Sequence, residues 1–334
     1  MANNHEQFTD FDGVIILTDS RTKSLKKSRK KLRDRIRDDF KENHKDDIQP
    51  KFWSQGSFQM GTAVNPIGRV VKEDGKDVTI YKYDVDDGIY FVGELSERKS
   101  VTTYHNWIYD AVDGHTGKSP IDKNTCVRSV FYDGHHIDQP IYFEVEGNIP
   151  QLAHKAKDWI DSDPREFTNW FEEAAKDKPQ LKRLVRYFKA WCDYQNFKNA
   201  GKKMPSGMVM TIWVIENVSY NDRDDVAMKD TLANLKNTID AQVKLTCKRP
   251  TVPTDENLME DYKCADFFKE RLSAFVNSAK QAVNETNQKT ACGKWQLHFG
   301  DRFSCANAKD EDEQANTYRS PAIVASNAKS AKEA

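Results

Sequence analysis

Gly56-Ser57-Phe58-Gln59-Met60-Gly61-Thr62 and, after a polar loop, Tyr83-Asp84-Val85-Asp86-Asp87-Gly88 are the stretches from which the rest of the chain can be read. The first has the pattern of a glycine turn opening a helix, whose free backbone N–H groups suit a phosphate. The second has the pattern of a strand, and its two-residue period puts the Asp84 and Asp86 carboxylates on one face. Asp87 then points to the other. Two neighbouring carboxylates repel each other and are expensive unless a divalent cation sits between them. The pair therefore argues for Mg²⁺ (or Mn²⁺) and phosphate chemistry.

Outward from these stretches, Asp19 to Asn43 carries Leu25, Leu32, Ile36 and Phe40 at helical spacing among many cations, including Arg29, Lys30, Arg33 and Arg37. So narrow a stripe predicts a long helix lying across a surface, its basic side either solvated or forming a wall toward a nucleotide or RNA. Lys51 to Pro66 predicts a short strand, the glycine turn and a short helix stopped at Asn65-Pro66. Glu73-Asp74-Gly75-Lys76 suits a hairpin turn feeding a strand from Val78 to Val92. Residues 97–120 mix a helical pattern with a Gly/Ser/Pro exit. Cys126–Tyr132 and Ile137–Val145 alternate like the two arms of an antiparallel hairpin, and Asp138 stands at the start of the second arm.

The pattern then changes. Asp163-Pro164-Arg165-Glu166 has an N-cap, a proline at the first helical position and a capping-box acid, and the chain to about Asn287 reads mainly as helix. In the helix from Gln180 to Gln195, Leu181, Leu184, Val185 and Phe188 form an apolar stripe. Lys182, Arg186 and Lys189 fall at i, i+4 and i+7 on another face, a row that suits either a triphosphate or solvent. After Phe303 the composition turns to Ala, Asn, Asp, Glu, Lys and Ser, the composition of a disordered tail.

With 51 basic and 52 acidic residues in 334, any nucleotide site must be a local patch rather than a property of the whole surface. Six cysteines form no CxxC pair and no zinc-spaced cluster, which predicts reduced, packed thiols in a cytoplasmic protein. The N-terminus is polar and no apolar run approaches membrane-spanning length, so neither secretion nor membrane insertion is expected. Should the glycine turn fold back beside the carboxylate strand, Asp138 on a neighbouring strand would complete a two-metal site. There, one metal lowers the pKa of an attacking hydroxyl, and the other stabilises a triphosphate and its leaving pyrophosphate.

Gly56-Ser57, the run Asp84-Val85-Asp86-Asp87-Gly88-Ile89-Tyr90-Phe91 and the later His136-Ile137-Asp138-Gln139-Pro140-Ile141-Tyr142 resemble the bacterial CD-NTases. These are cyclic-oligonucleotide synthases of anti-phage signalling, relatives of cyclic GMP-AMP synthase and oligoadenylate synthase among the polymerase-β-like nucleotidyltransferases. The likeness continues through Arg223-Asp224-Asp225 and Arg249-Pro250-Thr251-Val252-Pro253 to Phe299-Gly300-Asp301-Arg302-Phe303, and so covers about residues 10–305.

The resemblance implies an α+β fold, with a polymerase-β-like nucleotidyltransferase lobe (mixed sheet with helices) packed on a helical C-terminal lobe and the active site between them. It implies residues 1–160 as the nucleotidyltransferase core with an N-terminal bracing helix, 161–305 as the helical lobe and 306–334 as a disordered tail. Asp84, Asp86 and Asp138 are implied as metal-binding and catalytic residues, and Gly56 with Ser57 as the triphosphate turn. Ser206, in Pro205-Ser206-Gly207, is similar to the family's phosphate-touching serine, a role compatible with an N-cap. Lys189 is similar to the helical lysine, with Arg186 one turn earlier as the alternative. The implied reaction joins nucleoside triphosphates, releases pyrophosphate and closes a ring. A linear nucleotidyltransferase acting on RNA ends or a protein and a silent nucleotide-binding scaffold remain the alternatives. In some members a ubiquitin-transfer-like partner joins the C-terminus to a target, and the tail ending at Ala334 has the look of such a segment. The zinc-binding insertion of the animal cyclic GMP-AMP synthase has no counterpart here, so direct DNA sensing is not expected; a monomer is.

Overall fold

In the computed structural model, which describes residues 1–73 and 75–311, the chain opens with α1 (His5–Ile15) and the long α2 (Asp19–Asn43). β1 (Lys51–Gln55) runs straight into the single-turn α3 (Gly56–Gln59). Then come β2 (Arg69–Glu73), β3 (Lys76–Ile80), β4 (Asp84–Val92), α4 (Val101–Val112), β5 (Ile121–Asp122), β6 (Cys126–Val130), β7 (His136–Glu144), β8 (Gln151–His154) and β9 (Asp158–Asp161). Helices follow: α5 (Pro164–Ala175), α6 (Pro179–Lys198), α7 (Gly207–Asn217), α8 (Asp224–Asp240), α9 (Ala265–Asn284) and α10 (Gln288–Phe299).

The main sheet has the order β1-β4-β7-β6-β5, with β8 on β7 and β9 on β8. β4 and β7 are parallel, and their register sets Asp86 opposite Asp138. β1 pairs antiparallel with β4, and β6 with β7. The expected hairpin of β6 and β7 and the mixed sheet are both present. Alternation along β4 sends Ile89 and Phe91 toward Leu32, Ile36 and Phe40 of α2 and Tyr104 and Ile108 of α4, one apolar core. The other face carries Asp84 and Asp86 and, further along, the stacked pair Tyr90 and Tyr142.

A larger core is built almost entirely by helices. Trp191, Trp213, Trp295, Phe275 and Phe299 are buried there, and Phe8, Phe11 and Ile15 of α1 join them. Phe8 meets Tyr187, Trp295 and Phe303 edge-on, an arrangement worth about 1 kcal/mol per pair beyond area burial. The packing thus crosses the division by sequence at residue 160, because α1 sits with the later helices.

Several expectations need correction. The continuous strand from Val78 to Val92 is two strands. Among the described residues β3 pairs only with β2, whereas β4 pairs with β1 and β7. At the break a Cβ on Gly134 would stand 2.8 Å from the Tyr81 carbonyl oxygen, and the Tyr83 carbonyl accepts from His136 N. The helix expected to run to Asn65-Pro66 ends sooner, followed by Gly61 at φ +66°. Glu166 completes no capping box: Asp163 caps α5, while Glu166 accepts from Val252 N. The stretch 241–264 is not helical, since Pro250 and Pro253 remove donors a helix needs. Cys292 and Cys305 are disulfide-bonded rather than reduced, because the turn after α10 brings their Cα atoms within 5.7 Å; the other four are free.

At the start of the expected tail, Ala308 packs into the helical core and the Lys309 carbonyl accepts from Lys289 N. Residues 312–334, with the proposed conjugation at Ala334, lie outside the described residues. Among the described residues, no helix is long and apolar enough to cross a membrane.

Candidate active site

Between the sheet and the later helices lies a cleft of about 680 Å³. Gly56, Ser57, Asp84 and Asp86 line one wall, Lys189 and Ser206 the other, and Tyr142, Ser162 and Arg249 also border it. Six of the eight residues expected at the site are thereby brought together.

The glycine turn has a plain steric cause. Gly56 has φ +72°, and a Cβ there would overlap Oδ2 of Asp86. Any other residue would be strained and would push the turn away from Asp86. The Ser57 carbonyl accepts from Thr62 N at 2.9 Å and Ala63 N at 3.1 Å, folding the following loop back over the turn. Thr62 in turn holds the opposite wall: its Oγ1 accepts from Lys189 Nζ at 3.0 Å.

Lys189 is buried and has no carboxylate bonded to it among the described residues. Burial lowers its pKa to about 7, against the pull of Asp84. An arriving polyanion would restore its charge. Ser206 is the N-cap of α7, accepting from Val209 N at 3.3 Å. A Cβ at the adjacent Gly207 would lie 3.4 Å from Cε of Lys189, so serine, glycine and lysine form one corner.

Neither Asp84 nor Asp86 has an ion pair or hydrogen-bond partner among the described side chains. Burial, then the charges of Asp84 and Asp138, push the Asp86 carboxyl up to about 7. Asp138 has the opposite circumstances. Arg128 grips it with Nε at 2.5 Å and Nη2 at 2.6 Å, and Lys123 Nζ lies 3.4 Å away. Burial alone would raise the Asp138 carboxyl, but these cations hold it below the usual carboxylate range.

Asp138 and Arg186 are the two expected residues that do not line the cleft. Arg186 is bidentate to Asp12 of α1 at 2.7 Å and donates to the Gly61 carbonyl at 2.9 Å, so it ties α1 to α6. Lys182, in the same row, pairs with Glu172. One helix face offered three cations, and tertiary packing leaves only Lys189 to the cleft.

The donor chemistry fits a divalent cation. Asp84 and Asp86 present hard oxygens on one face, and burial, then the charges of Asp84 and Asp138, raise the Asp86 carboxyl, a cost that a cation would relieve. No group of three or more acidic, histidine or cysteine side chains among the described residues is gathered closely enough to hold a metal. Asp138 would have to leave Arg128 to make the third. Arg128, Lys123, Thr62 and Arg249 were not anticipated from the sequence. Thr62 stands in the glycine-turn stretch and Arg249 in a resembling motif, though neither was assigned a role there, and the register of β6 and β7 sets Arg128 directly opposite Asp138.

Residues 50–142 match the family model described as cyclic GMP-AMP synthase DncV-like, nucleotidyltransferase domain. A cyclic GMP-AMP synthase of Escherichia albertii is 30% identical over 189 residues, covering 54% of this chain and 40% of the relative. One from Vibrio cholerae serotype O1 is 22% identical over 326 residues, covering 77% and 68%. The chain spans about half the length of the curated Escherichia relatives it matches. The crystal structure of Vibrio cholerae DncV cyclic AMP-GMP synthase with nonhydrolyzable GTP superposes with a TM-score of 0.75 at 20% identity, covering 91% of this chain and 97% of that one. The same enzyme with the linear intermediate 5′ pppA(3′,5′)pG gives 0.73 at 21% identity, covering 90% and 96%. At such identity the superposition establishes the fold: a polymerase-β-like nucleotidyltransferase lobe with a helical lobe.

Proposed function

We propose that this chain, whose residues 50–142 match the DncV-like nucleotidyltransferase domain, is a bacterial CD-NTase and a metal-dependent synthase of a cyclic dinucleotide. It joins nucleoside triphosphates, releases pyrophosphate and closes the product into a ring that serves as an antiviral (anti-phage) messenger in the cytoplasm. The observation that carries this reading is the pair Asp84 and Asp86, with no cation bonded to them among the described residues, on a cleft wall that faces Lys189 and Ser206.

In this reading Asp84 and Asp86, with Asp138 once free of Arg128, hold Mg²⁺ or Mn²⁺. The bound metal supplies a more acidic hydroxyl and charge for the leaving pyrophosphate. The backbone of Gly56 and Ser57 receives the triphosphate, as N–H groups at a turn do. Lys189 gains its proton as the polyanion enters and meets its charge, and Ser206 donates its hydroxyl from the rim of α7. The protein's own contribution is positioning and electrostatics, which is most of what phosphoryl-group chemistry asks of it.

The test is incubation of the purified protein with all four labelled nucleoside triphosphates and Mg²⁺ or Mn²⁺, then phosphatase and chromatography, beside Asp84→Ala/Asp86→Ala. A phosphatase-resistant product that linkage-specific nucleases show to be cyclic, absent from the variant, is expected. A product that proves linear on digestion would overturn ring closure, and a product equal in the variant would overturn the assigned carboxylates.

A further inference from the structure

One strand pair behind the cleft, α2 reaches into the sheet. Arg33 donates from Nε to Oδ2 of Asp87 at 2.8 Å and from Nη2 to Oδ1, and Nη2 also lies 3.4 Å from Oγ of Ser54. Arg29, one turn earlier, donates from Nη1 to the same Ser54 Oγ. Ser54 belongs to β1 and Asp87 to β4, and the register sets them opposite each other. The next pair along is Gln55 and Asp86. Beyond Gln55 comes Gly56, which touches Asp86 so closely that no Cβ fits.

Asp87 is fully buried, and Arg33 is its only ion-pair partner among the described residues. Nearby on β7, Gln139 is also fully buried, and neither of its amide atoms has a partner among the described residues. Leu32 and Ile36 already anchor α2 by apolar packing, so adhesion does not require the ion pair. A buried pair adds little net stability over apolar side chains, and its best attested use is to fix register.

We infer that Arg33, assisted by Arg29, is a positioning residue that clamps β1 against β4 from the far side of the sheet, setting the distance between the Gly56-Ser57 turn and the Asp84/Asp86 carboxylates. The clamp acts only through those residues, because it lies on the opposite face from the cleft. It rests on the proposed nucleotidyl transfer for its purpose, though not for its geometry. A misplacement of about 1 Å at such a site can cost about a hundredfold in rate.

Wild type, Arg33→Lys and the double variant Arg33→Gln/Asp87→Asn are compared, with Lys27→Ala, an exposed cation of the same helix, as control. Lysine keeps the charge but cannot fork across two strands. The double variant removes both charges, so no buried carboxylate is left unpaired. Each protein is measured for thermal midpoint, for the Kd of nonhydrolyzable GTP by calorimetry, for Mn²⁺ affinity by electron paramagnetic resonance, and for kcat and KM. Both Arg33 variants are expected to weaken GTP and Mn²⁺ binding about tenfold and to lower kcat at least tenfold, by the sensitivity of preorganised sites to their supporting residues. Lys27→Ala should match wild type. A merely structural role would lower the midpoint and the active fraction while leaving Kd in the folded fraction at its wild-type value. Folded variants within twofold of wild type in Kd and kcat would overturn the clamp. Wild type that makes no product sinks the functional reading alone, since the Kd ratios still decide the clamp; wild type that binds neither ligand sinks both.

Discussion

The two faces of β4 hold carboxylates of opposite fate one residue apart. Asp87, on the α2 face, is sealed from water and paired with Arg33, although burial still outweighs the arginines and raises its carboxyl. Asp86, on the cleft face, is buried beside the like charges of Asp84 and Asp138 with no cation bonded to it among the described residues, and burial first, then those charges, push its carboxyl up to about 7. A chain selected only for stability would pair both or neither, because an unrelieved carboxylate cluster costs free energy that any nearby arginine would recover. Arg128 and Lys123 do this for Asp138. The contrast teaches where the molecule tolerates electrostatic strain, and perturbed carboxylates of this kind cluster at functional sites.

The sharpest way to break this contrast is to remove the unpaired side. Asp84→Ala/Asp86→Ala is expected to lower product formation by at least about a thousandfold, with far-ultraviolet circular dichroism unchanged, because the lost groups hold charge in the reaction rather than in the fold. Retention of more than a tenth of the activity would contradict the assignment. Opposite them, Lys189→Met should raise KM for nucleoside triphosphate about ten- to a hundredfold with a smaller change in kcat, the signature of lost binding that ground and transition states share.

A stability measurement addresses Asp86 without turnover. In the unfolded chain its carboxyl titrates at the usual 3.8 and in the folded one at about 7. A folded pKa above the unfolded one means that this residue's contribution is fully present below the lower value and is lost as pH rises through the upper. Asp86→Asn should therefore melt several degrees above wild type at pH 8 in chelator, with the gap gone by pH 3.5, and Mg²⁺ should narrow the gap at pH 8 by stabilising wild type. Parallel melting curves at all pH values would refute it. The smallest effect belongs to Ser206→Ala, which should cost about 1 kcal/mol as a lost N-cap; a severalfold rise in KM beyond that separates phosphate contact from capping alone.

Where the sequence was legible, the reason was local. The period of β4 separated Asp84 and Asp86 from Asp87, the spacing of Leu25, Leu32, Ile36 and Phe40 marked the buried stripe of α2, and the hairpin of β6 and β7 followed from alternation. Where it was not, the deciding partner was remote. α1 carries its apolar residues among acidic and polar ones, and its helix is secured by Tyr187, Trp295 and Phe299 from far along the chain. The arginines of α2 read as one charged face, yet Arg29 and Arg33 turn inward to Ser54 and Asp87, while Lys23, Lys26, Lys27 and Lys31 stay exposed. Pairing of Cys292 with Cys305 depended on a turn that no spacing rule announced.

Composition, periodicity and motif spacing thus determined by themselves which groups the chain carries: a glycine turn of a kind that suits a phosphate, a carboxylate pair on one strand face and cations on a helix. Tertiary structure alone decided which of those groups are available. It assigned Arg186 to Asp12 and Lys182 to Glu172, left Lys189 to the cleft, and gave Asp138 to Arg128 while leaving Asp86 without a bonded cation among the described residues. The physical reason is that side-chain direction along a helix or strand is a short-range property, set by backbone geometry over a few residues. The charge state and engagement of a side chain depend instead on burial and on partners brought within a few ångströms from distant parts of the chain.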